Sequence, residues 1–97
     1  MTEYEMSEKA EKYLAKNRSI KELILKKLKY CLEEHLFDVL GECDKHELKG
    51  NLNGLWRLKV PHKRVVVYEP VGVRPYRHAK IYFIKSEEDY HNWLNSA

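Results

Sequence analysis

Residues Leu48–Tyr68, LKGNLNGLWRLKVPHKRVVVY, decide the fold of this chain. Leu55-Trp56-Arg57-Leu58-Lys59-Val60 alternates apolar and cationic residues, and Arg64-Val65-Val66-Val67-Tyr68 is β-branched. Both patterns read as strands. Only Pro61-His62-Lys63 separates them, so they are expected to pair as an antiparallel hairpin. Side chains alternate across a strand. Trp56, Leu58 and Val60 therefore share one face, with Trp56 read as core, and Arg57 and Lys59 share the other. Arg64 opens the next strand, within expected reach of that second face. Three cations on a rigid platform are the main functional lead.

Outward from the hairpin, the pattern predicts a weak strand at residues 2–6 and a helix from Ser7 to Lys16, with Ser7 as its N-cap. Asn17-Arg18 breaks it. Ser19-Ile20-Lys21-Glu22 has the form of a capping box. Ile20, Leu23, Ile24, Leu28, Cys31, Leu32 and Leu36 continue one helical stripe. Gly41 closes the helical region, and residues 42–54 read as a polar approach loop. Beyond the hairpin, Pro70, Gly72 and Pro75 predict a loop over Glu69–Arg77. Lys80–Ile84 is a strand, and Ser86–Asn95 is a terminal helix with Glu87, Glu88 and Asp89 in its first turn. The expected architecture is α+β. Two N-terminal helices pack on a small antiparallel sheet of three to four strands, and a short C-terminal helix follows. The other sheet face is expected to stay open.

Ninety-seven residues suit one domain, spanning 1–97. No apolar run approaches the roughly 20 residues that cross a bilayer, and the N-terminus has no signal-peptide pattern. A membrane is not expected as a partner, and the expected location is cytoplasmic. Eighteen basic and 15 acidic residues leave a net charge of +3, too mild to diagnose nucleic-acid binding. The distribution says more. Residues 57–80 carry Arg57, Lys59, Lys63, Arg64, Arg74, Arg77 and Lys80 against the single acid Glu69. Such a patch suits a phosphate backbone, or equally a solvated sheet face.

Cys31 and Cys43 lack the histidine cluster of a zinc site. Cys31 falls on an apolar helix face and reads as a buried, inert thiol. A disulfide is not expected in a reducing compartment. No metal and no cofactor are expected. His46, His62, His78 and His91 invite an acid–base pair, but no spacing selects one.

Leu48-Lys49-Gly50, the Trp56-containing strand and Arg64–Tyr68, with two preceding helices and a closing Tyr90, resemble the RelE/ParE toxin superfamily. The resemblance covers nearly the whole chain. Members of the RelE branch are toxins of toxin–antitoxin pairs that cut mRNA in the ribosomal A site. The resemblance thus implies a RelE-like fold and a metal-independent endoribonuclease. It also implies a cognate antitoxin, ribosome and mRNA as partners, in a monomer or a toxin–antitoxin hetero-oligomer. Its catalytic positions fall on Arg57, Lys59, Arg64 and Tyr90. Lys49, Lys63, Arg77 and Lys85 are the flanking cations assigned to RNA binding. The family's usual arginine after the last strand is absent, and Lys85 is the cation available there. Glu87-Glu88-Asp89 then motivates an alternative, a catalytically degenerate binding module. A ParE-like toxin directed at gyrase is a third possibility.

Overall fold

The computed structural model describes residues 3–34, 43–73 and 76–96. Strand β1 (Glu3–Met6) leads into helices α1 (Glu8–Lys16) and α2 (Arg18–Leu28). Strands β2 (Lys45–Glu47), β3 (Trp56–Val60), β4 (Arg64–Val73) and β5 (Tyr76–Ser86) follow, then helix α3 (Glu87–Ser96). The architecture is α+β. The sheet has five strands in the order β1-β5-β4-β3-β2 and is mixed, not purely antiparallel, because β1 runs parallel to β5. Among the described residues, no helix is long and apolar enough to cross a membrane.

Ser7 caps α1 as the sequence implies, its Oγ accepting from the Ala10 amide at 3.1 Å. The same hydroxyl donates to the Tyr82 carbonyl, and the Ser7 amide donates to Ile81 O at 3.0 Å. The helix start is thereby pinned to β5. The Ser19 capping box does not form the next cap. Helix α2 starts two residues earlier, at Arg18, with Asn17 as N-cap and no side-chain cap bond. Asn17 instead spends its Nδ2 on the Tyr13 carbonyl at 2.7 Å. Past Leu28 the helix widens into a π-helical turn, Lys29–Glu34, which keeps Cys31 and Leu32 fully buried. Leu36, Gly41 and Arg74 lie outside the described residues.

The predicted hairpin is present, with Trp56 opposite Tyr68 and Val60 opposite Arg64. The loop expected over Glu69–Arg77 is strand at its described residues, since β4 continues to Val73 and β5 begins at Tyr76, while Pro75 lies outside the described residues. Pro70 and Gly72 are tolerated because β3 ends its pairing at Tyr68. Beyond that point β4 has the β5 ladder, and a residue without an N–H is acceptable on such an edge. The approach loop also holds more structure than its composition suggests. It contains β2, paired antiparallel to β3, and a 3-10 turn at Gly50–Leu52.

Helices α1 and α2 cover one sheet face. Ala10, Leu14, Ile24 and Leu28 pack there with Leu58, Val66, Tyr68, Ile81 and Ile84, and half-buried Trp56 joins them. A bulge at Tyr82 shifts the β4–β5 register between Val67 and Tyr68. It lets Ile81 and Ile84, three apart, both reach this face. Burial of each large apolar side chain contributes about 1.5–3 kcal/mol. The other face is not left open. Helix α3 folds back across part of it, and Tyr90, Trp93 and Leu94 pack with Leu48, Val65, Val67 and Phe83. Phe83 and Trp93 meet edge to face at 4.8 Å.

The cysteines also depart from expectation. Cys31 and Cys43 form a disulfide, with Cα atoms 5.8 Å apart. Twelve positions separate them in sequence. The π-helical turn and the approach to β2 bring them together in the core.

Candidate functional site: a cationic face at the sheet edge

Strand register sorts the expected site residues. Residues directly opposite in an antiparallel ladder share a face. His46 is opposite Arg57, and Arg57 is opposite Val67, which pairs with Phe83. The next row holds Lys59, Val65 and Lys85. His46, Arg57, Lys59 and Lys85 therefore start from the face that α3 partly covers. With strands about 4.8 Å apart, Lys59 and Lys85 stand on the order of 10 Å from each other at the backbone.

Arg64 does not start from this face. It pairs with Val60 and begins on the side of Leu58 and Val66. Its Nη1 donates to the His62 carbonyl at 2.7 Å. The sequence brought Arg64 next to the hairpin turn, but strand parity sends its Cβ the other way. Only the length of the side chain at the strand end offers a route to the cationic face.

Asp44 sits at the centre of the cluster. Its Oδ1 is 3.1 Å from His46 Nε2 and 3.6 Å from Arg57 Nη1, and its Oδ2 is 4.0 Å from Lys59 Nζ. The Asp44 carbonyl accepts from the Lys59 amide at 3.1 Å. Lys59 Nζ also lies 3.8 Å from Glu87 at the start of α3. Acids thus temper the cations from two sides. The Asp44–Arg57 separation is too long for a hydrogen bond. Among the described residues, Arg57 Nη1 is buried without a hydrogen-bond partner, as is Arg64 Nε. A guanidinium donor left unsatisfied in this way is suited to an incoming anion.

Tyr90 is 3% exposed and forms part of the core under α3. Burial raises its pKa, and the nearby Arg57 guanidinium opposes that shift. Its phenol is thus held in the neutral form, which donates a hydrogen bond or proton. Lys85 Nζ lies 5.0 Å from the centre of the Phe83 ring, a cation–π contact. Lys49 and Lys63 are exposed, in the approach to the 3-10 turn and in the β3–β4 turn. Arg77 pairs with Gly72 in the β4–β5 ladder, and its side chain lies outside the described residues.

Asp44 was not legible as a site residue, and His46 was one of four candidate histidines among which the sequence made no choice. A strand of three residues carries no alternation strong enough to reveal itself, and only the β2–β3 pairing places His46 beside Arg57. The lone hint was the Asp-x-His spacing, which puts both side chains on one side of an extended segment.

No protein-family model matches the sequence, and no curated protein matches it. Solved structures do. The chain is similar to a YoeB/ParE toxin from Agrobacterium tumefaciens, with a TM-score of 0.67 at 13% identity. That likeness covers 88% of this chain and 98% of the other. YafQ from E. coli strain BL21(DE3) is similar at a TM-score of 0.67 and 16% identity, over 93% and 98% of the two chains. A YoeB–YefM complex from Staphylococcus aureus is similar at a TM-score of 0.61 and 25% identity, over 88% and 95%.

Proposed function

The chain has the fold of the RelE-like toxins YoeB, ParE and YafQ, and from that premise we propose that it is the toxin of a toxin–antitoxin pair. Its activity is ribosome-dependent cleavage of mRNA by a single domain acting in the cytoplasm. The observation behind this is the row His46–Arg57 beside Lys59, with an unsatisfied guanidinium donor at its centre.

In the reaction, the ribose 2′-oxygen attacks the adjacent phosphorus and the bond to the 5′-oxygen breaks. The products are a 2′,3′-cyclic phosphate and a 5′-hydroxyl. His46 takes the 2′-hydroxyl proton, since a neutral imidazole accepts one and Asp44 is placed to orient it. Arg57 and Lys59 neutralise charge on the phosphoryl oxygens once the phosphate takes the place of the Asp44 carboxylate beside them. Arg64 grips the neighbouring phosphate from the strand end. Tyr90, neutral, donates its proton to the departing 5′-oxygen, which leaves as the 5′-hydroxyl. Lys49, Lys63, Arg77 and Lys85 hold the flanking backbone by charge. No step in this scheme calls on a metal.

The partner that restrains it is a cognate antitoxin, as the S. aureus YoeB–YefM complex suggests by analogy. The test is cleavage of mRNA on translating ribosomes by wild type, Arg57→Ala and His46→Ala. Wild type cuts, and each variant is slowed at least about 100-fold. A wild-type protein that leaves mRNA intact removes the enzyme reading.

One observation favours the binding-module alternative: Asp44 and Glu87 already lie against Lys59. That alternative predicts tight antitoxin binding with no cleavage. A gyrase-directed action predicts growth arrest with intact mRNA and damaged DNA.

A further inference from the structure

We propose that the Cys31–Cys43 disulfide is a redox latch that holds Asp44 against Arg57 and Lys59 and so weakens the site's grip on RNA phosphate. The inference rests on the RNA-binding reading above and adds a control to it. Asp44 directly follows Cys43, so the bond fixes the backbone from which the carboxylate reaches the cations. Asp44 competes for the donors a phosphate needs, Arg57 Nη1 and Lys59 Nζ. At 3.6 and 4.0 Å it satisfies neither by a hydrogen bond, yet it lowers the positive potential there.

The opposite end of the latch is Cys31, whose carbonyl accepts from Lys45 Nζ at 3.1 Å. Lys45 belongs to β2, so two ties join this strand to the π-helical turn. When the disulfide opens, Lys45 still holds β2, and the tether on Cys43 and Asp44 is lost. Both cysteines are buried, at 0% and 1% exposure, so exchange proceeds through local opening. The chemistry is dithiol–disulfide exchange with a low-molecular-weight thiol couple. Closing removes two electrons and two protons from the cysteine pair, and one small disulfide becomes two thiols.

The test measures binding of a fluorescein-labelled single-stranded RNA oligonucleotide by anisotropy. Protein oxidised with glutathione disulfide is compared with protein reduced by a phosphine. Reduction tightens binding about fivefold, the scale of one exposed ion pair. Asp44→Asn, still disulfide-bonded, binds as tightly as the reduced wild type and no longer responds to reduction. RNA binding that is measurable and equal in both redox states overturns the latch, as does an undiminished redox response in Asp44→Asn. Hydrogen exchange at the Lys59 amide, which donates to Asp44 O, reads the latch without RNA. Faster exchange on reduction supports it, and unchanged exchange overturns it. A protein that binds no RNA in either state, yet shows the faster exchange, removes the RNA reading and keeps the latch.

Discussion

The backbone amide of Glu87 donates to the carbonyl of Lys63 at 3.0 Å, tying the first residue of α3 to the β3–β4 turn. That turn is strained. His62 and Lys63 have φ of 62° and 55°, in the left-handed region where side chains cost energy. The Glu87 bond on Lys63 and the Arg64 bond on the His62 carbonyl together hold it. Lys63→Gly relieves the strain and raises stability by about 1 kcal/mol, roughly 5 °C in melting temperature. The same variant reduces the salt dependence of RNA binding by about one charge. A lower melting temperature would show that the turn is not strained at Lys63.

Helix α3 is fastened to the sheet by aromatic packing. Trp93 meets Phe83 edge to face and lies 6.0 Å from the Tyr90 ring. Trp93→Ala is expected to cost about 2–3 kcal/mol, read from the midpoint of urea unfolding. Because Glu87 and Tyr90 ride on the same helix, activity falls with it. A loss below about 0.5 kcal/mol contradicts this docking.

Reduction of the disulfide lowers stability through the unfolded chain, which regains the freedom of a loop spanning 12 positions. The chain-entropy estimate is about 3 kcal/mol. Urea unfolding with and without reductant measures it, and coincident midpoints contradict it.

Stability above neutral pH depends on buried phenols. Tyr68 is 1% exposed, and burial raises its pKa far above the ordinary 10.0. The raised folded value means the native state keeps a proton that the unfolded chain releases. Stability from this group is complete below pH 10 and declines as pH climbs through the window above it. Tyr90 acts in the same direction. Tyr68→Phe flattens the alkaline decline of the melting temperature, and an unaltered slope contradicts the assignment.

At the site, Arg57→Lys keeps the charge and loses the planar fork. Cleavage is expected to fall about 10- to 100-fold with RNA affinity changed much less. Tyr90→Phe keeps the ring in its apolar setting, so the melting temperature holds while turnover drops about 100-fold. Full turnover in Tyr90→Phe makes Tyr90 a packing residue only.

Much of the fold was legible from local pattern. The alternation around Trp56, the β-branched run Val65–Val67 and the Ser7 cap each encode their element within a few residues. The cationic pair Arg57 and Lys59 follows from strand parity alone, and Lys85 joins their face once the β4–β5 register is known.

The remainder was decided by contacts between distant segments. Pro70 and Gly72 signal a loop locally, yet the β5 ladder supplies enough pairing to keep them in strand. Arg64 is adjacent to the turn in sequence, but its position opposite Val60 starts it on the other face. The disulfide and the β2–β3 pairing that recruits Asp44 and His46 join residues about a dozen positions apart, beyond the reach of a local pattern, and the return of α3 over the sheet joins residues much farther apart. The sequence by itself determined the elements and the parity of the central strands, because those depend on neighbours a few residues away. The tertiary structure decided which charges meet, because that depends on register and closure, which no local pattern records.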